Sequence, residues 1–125
     1  MFNFFNNLMS SGAAVNPADA VQAVAEKRAL VIDVREEAEV RQSGKAKGAL
    51  NLPLGRLHLM ADPNSGHFDK SLAAAKKAGH PLYLYCASGA RSGRAAGILR
   101  GHGFENVHNL GSLHAWAQGG GQVVR

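Results

Sequence analysis

An α/β layered domain built around a mostly parallel sheet is the fold this chain predicts, and three observations carry it. Short apolar runs of strand character alternate with stretches of helical periodicity. Glycine- and proline-bearing breaks separate them. The strongest strand signal, Pro81-Leu82-Tyr83-Leu84-Tyr85-Cys86, enters a small-residue loop that leads into a helix. Alternation of this kind puts helices against the faces of a parallel sheet.

Asn16-Pro17 reads as an N-cap followed by a first-turn proline, opening a helix over about 17–26 with Ala20, Val21 and Val24 at helical spacing. Leu30 to Val34 is a buried-type strand. A helix from Glu36 to Gln42, acidic in its first turn, is stopped by Ser43-Gly44. Ala49 to Leu52 is a second apolar piece, closed by Pro53, and Leu54 to Met60 predicts a short helix. Asp62 to Gly66 is a loop, and a helix from about Asp69 to Ala78 ends at Gly79. Beyond the central strand, a helix is expected from about Ser92 to His102. A last strand over Val107 to Leu110 and a short helix over Leu113 to Gln118 complete the pattern. Gly119-Gly120-Gly121 predicts the start of a loose tail.

The chain has 125 residues, enough for one domain with a real core, and its 46% hydrophobic and 18% charged content is that of an ordinary globular protein. A single cysteine forbids an internal disulfide. The opening Met1-Phe2-Asn3-Phe4-Phe5 is apolar but lacks a basic flank and meets Asn6-Asn7 at once, which is too short for a signal peptide or a membrane span. A cytoplasmic location is the resulting expectation. The net charge of +5 and pI near 9.8 favour anionic partners in general. The cations are scattered and few aromatics lie among them, so a small anionic substrate is expected and nucleic acid is not.

Cys86-Ala87-Ser88-Gly89-Ala90-Arg91 is where chemistry concentrates. In an open parallel sheet the reactive crevice lies at the carboxyl ends of the strands, and Cys86 sits at such an end. Loop N–H groups there can converge on a thiolate, and a helix N-terminus adds about half a positive charge. Such a setting lowers a thiol pKa from about 8.5 and makes a nucleophile near neutrality. Gly89 supplies a position where positive φ costs little. Ala87, Ser88 and Ala90 keep the rim small, Arg91 offers planar donors to an oxyanion, and Ser92 is placed to cap the next helix or reach the sulfur.

The run C-A-S-G-A-R-S resembles the active-site loop of rhodanese domains, C-x-x-G-x-R-[ST]. Three further pieces agree in order: Val31-Ile32-Asp33-Val34-Arg35 with a strand ending in D-x-R, Gly48-Ala49-Leu50-Asn51-Leu52-Pro53 with G-A-x-N-[IL]-P, and Gly111-Ser112-Leu113-His114-Ala115-Trp116 with G-G-x-x-x-W. The resemblance implies a rhodanese-like three-layer domain over residues 14–121, with 1–13 as an N-terminal extension and 122–125 as a C-terminal tail. It implies a sulfurtransferase in which Cys86 takes sulfane sulfur from a donor such as thiosulfate, as a persulfide, and passes it to cyanide or a thiol. The N–H groups of Ala87, Ser88, Gly89, Ala90, Arg91 and Ser92 would hold the sulfur, Arg91 would bind the donor anion, and Asp33 and Arg35 would form a supporting pair. A sulfur-relay protein stays open as a further partner. Two departures stand out: Gly44-Lys45-Ala46-Lys47 has no histidine where the family often has one, and Ser112 replaces a common glycine.

Rival readings are a cysteine phosphatase or arsenate reductase and a non-catalytic interaction module. The phosphatase signature spaces Cys and Arg by five residues, whereas four lie between Cys86 and Arg91. No histidine pair has the spacing of a helical metal site, and no dinucleotide or P-loop fingerprint is present, so neither metal nor cofactor is expected. Gly93, Gly97 and Gly101 share one helix face, raising the idea that another backbone, of a partner or second subunit, approaches it closely; tolerated drift is the plainer alternative.

Overall fold

Four parallel strands and the helices that join them build the core of the computed structural model, which describes residues 15–125. The expected extension, 1–13, lies outside the described residues. In chain order the elements are α1 (Pro17–Ala25), β1 (Leu30–Asp33), α2 (Glu37–Ser43), β2 (Lys45–Ala46), β3 (Leu50–Asn51), a 3-10 turn (Leu54–Arg56), α3 (Leu57–Ala61), α4 (Lys70–Ala78), β4 (Leu82–Cys86), α5 (Ala90–Gly101), β5 (Val107–Ser112), α6 (Leu113–Gln118) and β6 (Val123–Val124). The main sheet runs β3-β1-β4-β5, and β2 pairs with β6 in a separate antiparallel ribbon.

Strand alternation divides the apolar residues between two faces. Ile32, Leu82, Leu84 and Cys86 join a core covered by Leu57 and Ala61 of α3, Leu72 and Ala75 of α4, and Ala95, Ala96 and Leu99 of α5. Val31 and Tyr85 point the other way, against Ala20 of α1 and Trp116 of α6. Helices on both faces of a parallel sheet make the predicted three layers. The register sets Asp33 beside Tyr85 and Cys86 beside Ser112, so the ends of β1, β4 and β5 meet at one edge.

Local chemistry explains the helix ends. The Asn16 side chain accepts from the Ala18 N–H at 3.0 Å ahead of Pro17, and Asp69 accepts from the Leu72 N–H at 2.9 Å. Gly79 closes α4 with φ +72°. Ser112 caps α6 by accepting from the Ala115 N–H at 3.0 Å, which gives the serine at this glycine-rich corner a structural use.

Two expectations are corrected. The helix after the cysteine loop begins at Ala90 rather than about Ser92, because Gly89, at φ +99°, is its N-cap and its carbonyl accepts from the Gly93 N–H at 3.0 Å. The residues after Gly119 are not a loose tail. Trp116 Nε1–H donates to the Gln122 carbonyl at 2.8 Å, and Val123 and Val124 pair with Ala46 and Lys45. Gly121 lies so close to the Trp116 ring that a side chain there would overlap it, which is why glycine leads the chain back.

Candidate active site

β4 ends by directing Cys86 toward the α5 side of the sheet, and Gly89 turns the chain so that the loop amides face inward. The Gly89 N–H donates to Sγ at 3.1 Å and the Ser92 N–H at 3.4 Å, with Ser92 Oγ also 3.4 Å away. The residue is 1% exposed, while Ala87, Ser88 and Ala90 around it are exposed. Sγ is thus buried at the centre of a loop whose outer residues are small and exposed, with N–H groups turned toward it. Burial pushes the thiol up. The Ser92 hydroxyl and the N–H groups of Ser92, Gly89 and Ser88 outweigh it and bring the pKa down from 9 to about 7.

Ser92 is the third residue of α5, so it does not cap that helix as its type suggested. Its hydroxyl lies 2.7 Å from Asn109 Oδ1, and Asn109 Nδ2 donates to the Gly89 carbonyl at 3.0 Å, which fixes the amide with Oδ1 toward Ser92. One hydroxyl has one proton. While Cys86 is a thiol, Ser92 donates to Asn109 and accepts from S–H. When the sulfur ionises, the same proton is wanted by both Sγ and Oδ1. Asn109, from β5, thus braces the loop at Gly89 and competes for the donor that stabilises the thiolate.

Arg91 lies at the rim, but its guanidinium is already engaged. Nη1 donates to Glu39 Oε1 at 2.7 Å and Nη2 to Oε2 at 2.9 Å, a two-pronged pair with side chains 34% and 38% exposed. Glu39 Oε1 also accepts from the Glu36 N–H at 2.9 Å. Arg91, followed by that N–H, holds the Glu39 carboxyl down to about 2.

Asp33 and Arg35 do form a pair. Both are buried, at 0% and 5% exposure. Arg35 Nε and Nη2 reach Asp33 at 3.0 and 2.7 Å, Nη1 reaches Ser43 Oγ at 2.6 Å, and Nη2 also reaches the Gly44 carbonyl at 2.6 Å. The guanidinium lies 5.6 Å from the centre of the Tyr85 ring. These contacts clamp the far end of α2, the helix that carries Glu39. Asn51 Nδ2 donates to the Asp33 and Arg35 carbonyls at 2.9 and 3.0 Å and fixes the intervening turn.

Glu39, Asn109 and Asn51 were not singled out from the sequence as site residues. The signal for Glu39 was its place on a helix directly after Asp33-Val34-Arg35; nothing local tied it to Arg91. On the glycine face of α5, a side chain added at Gly93 would meet Asn109 Nδ2 at 3.4 Å, and one at Gly97 or Gly101 would meet nothing within 4 Å among the described residues of this chain. His58 Nδ1 and His102 Nε2 lie 3.4 Å apart, yet no group of three or more metal-ligating side chains occurs among the described residues. No helix among them is long and apolar enough to cross a membrane.

Comparison with known proteins gives the family. A family model described as a rhodanese-like domain matches residues 16–119. The chain belongs to the rhodanese-like domain family. An uncharacterised Bacillus subtilis protein, YqhL, is 38% identical over 98 residues, which is 78% of this chain and 65% of that protein. An Allochromatium vinosum protein named sulfurtransferase is 32% identical over 96 residues, 76% of this chain and 78% of its own length. Among solved structures, a human single-domain sulfurtransferase superposes with a TM-score of 0.64 at 25% identity, covering 84% of this chain and 95% of its own. A Rhodopseudomonas palustris protein of unknown function, described as a possible tyrosine phosphatase, superposes with a TM-score of 0.75 at 26% identity, covering 89% and 83%. The rhodanese assignment fits the parallel sheet, the three layers and the cysteine loop at the sheet edge.

Proposed function

We propose that this rhodanese domain is a sulfurtransferase that carries sulfane sulfur on Cys86, taking it from a donor such as thiosulfate and giving it to a thiol or cyanide. The observation that carries the reading is the Cys86 sulfur at the end of β4, met by the Gly89 and Ser92 N–H groups and the Ser92 hydroxyl, with its pKa lowered to about 7 by that hydroxyl and the loop N–H groups. Lowering the pKa raises the share of thiolate, the form that attacks, near neutral pH.

In the first half-reaction the Cys86 thiolate attacks the outer sulfur of the donor. The S–S bond of thiosulfate breaks, and sulfite leaves with the bonding pair. The product is a Cys86 persulfide, whose second sulfur adds about 2 Å of reach beyond Sγ. In the second half-reaction a nucleophilic acceptor attacks that outer sulfur and Cys86 leaves as the thiolate. Cyanide gives thiocyanate, and a thiolate on a small molecule or on a relay protein gives a new persulfide. The N–H groups of Ser88, Gly89 and Ser92 bind the sulfur anion in both states, and Arg91 meets the donor's negative charge. A reducing compartment such as the cytoplasm suits a thiol that must be free between cycles.

Intact mass after incubation with thiosulfate tests the reading. The expected result is a gain of one sulfur, about 32 Da, absent in Cys86→Ser and reversed by cyanide, with ping-pong kinetics. A full-length protein that gains no sulfur with a freely alkylated Cys86 overturns it and favours an interaction module. The neighbour described as a possible phosphatase keeps phosphate-ester cleavage as the second reading. Against it stands the spacing of the loop: four residues lie between Cys86 and Arg91, one fewer than in the phosphatase signature.

A further inference from the structure

We infer that Glu39 sets the charge of the donor this site accepts, by occupying the arginine that an anionic donor needs. The inference rests on the sulfurtransfer reading and concerns the preferred donor class: singly charged or uncharged sulfane-sulfur carriers over the thiosulfate dianion.

The argument starts from the loop. Arg91 is the only charged residue between Cys86 and Ser92, so it is the cation a donor meets beside the nest. Both of its terminal nitrogens are taken by one carboxylate, at 2.7 and 2.9 Å. Glu39 stays ionised at every working pH, since its carboxyl is held down to about 2. Glu36 lies on the same side and adds a further negative charge near Arg91. Arg35, the other cation near the end of β1, is buried and committed to Asp33, Ser43 and Gly44. Arg56 stands 3.8 Å from Glu37, with both side chains exposed. An anion arriving at the rim therefore competes with Glu39 for Arg91, and the repulsion from Glu39 and Glu36 grows with each unit of donor charge. A fork of this kind discriminates by charge while leaving the sulfur's own surroundings untouched.

Glu39 acts through Arg91 and is a positioning residue. Thiosulfate and methanethiosulfonate test it as a matched pair, because both carry a sulfane sulfur on a sulfonyl group and they differ by one charge. Glu39→Gln keeps an acceptor for the Glu36 N–H and removes the charge. The expected result is a rise in kcat/KM for thiosulfate of about fivefold, carried by KM with kcat unchanged, and a rise of about twofold for methanethiosulfonate. Equal changes for the two donors, or a fall in kcat without a fall in KM, overturn the inference. Glu39→Asp, whose side chain is one methylene shorter and so draws the carboxylate back from Arg91, is the second variant and should move KM in the same direction by a smaller amount. Protection of Cys86 from alkylation by sulfate, an unreactive dianion, reads the same competition without turnover: Glu39→Gln should strengthen it about fivefold. If wild type gains no sulfur from either donor, the sulfurtransfer reading falls. If sulfur is gained but neither KM nor sulfate protection responds to Glu39, the reading stands and the charge selection is wrong.

Discussion

Two arginine–carboxylate forks lie near the carboxyl edge of the sheet, and they differ in burial more than in geometry. Arg35 and Asp33 are closed off from water, and every polar side-chain atom there has a partner. Arg91 and Glu39 meet at similar distances but remain about a third exposed. The buried pair is a structural clamp: its remaining donors go to Ser43 and Gly44, so it fixes where α2 ends. The rim pair is a latch that solvent and ions can compete for. The first holds the helix that brings the second into place. A single residue type thus sets both the shape of the site and its charge, separated by depth alone.

The largest test breaks the clamp. Arg35→Met leaves Asp33 buried without its partner and should cost about 3–5 kcal/mol in urea unfolding. A cost below 1 kcal/mol would erase the distinction between the pairs. Next comes the sulfur itself. Ser92→Ala removes the hydroxyl that helps hold the thiolate, so the midpoint of Cys86 alkylation against pH should move up from about 7 by up to one unit. The backbone donors remain, so reactivity is weakened rather than lost.

Smaller effects are expected at the latch. Arg91→Met should change stability by less than about 1 kcal/mol, as exposed pairs do, while slowing persulfide formation from thiosulfate. A stability loss as large as that of Arg35→Met would make the latch a second clamp. The smallest effect is acid sensitivity. Glu39 is held below its unfolded value, so its contribution is complete above pH 4.5 and is lost as pH falls toward 2. With this exposure the loss should stay under about 1 kcal/mol, and Glu39→Gln should flatten that part of the stability–pH curve.

The cysteine loop was legible because its parts are neighbours in sequence: a strand, a glycine able to take positive φ, and an arginine within six residues. The helix boundaries around Asn16, Asp69 and Gly79 were legible for the same reason, since caps are local. Glu39 was not, because it meets Arg91 across 52 residues and no periodicity announces such a meeting. Asn109 reaches Ser92 across 17 residues, and a polar residue in a short strand gives no hint of which face it serves. Ser92 misled in the other direction: a serine near a helix start looks like a cap, but Gly89 had already begun the helix. The pairing of β2 with β6 was hidden by length, two residues on each side being too few to show alternation.

The last residues carry a practical consequence. Gly44 has the Val124 carbonyl against it, Ala46 donates its N–H to the Tyr85 hydroxyl at 3.0 Å, and Tyr85 immediately precedes Cys86. A truncation that drops Gln122–Arg125 would strip Trp116 of its acceptor and release Lys45–Ala46, unsettling the residue next to the nucleophile. A shortened clone with poor activity would then be reporting a lost hem rather than a faulty catalyst.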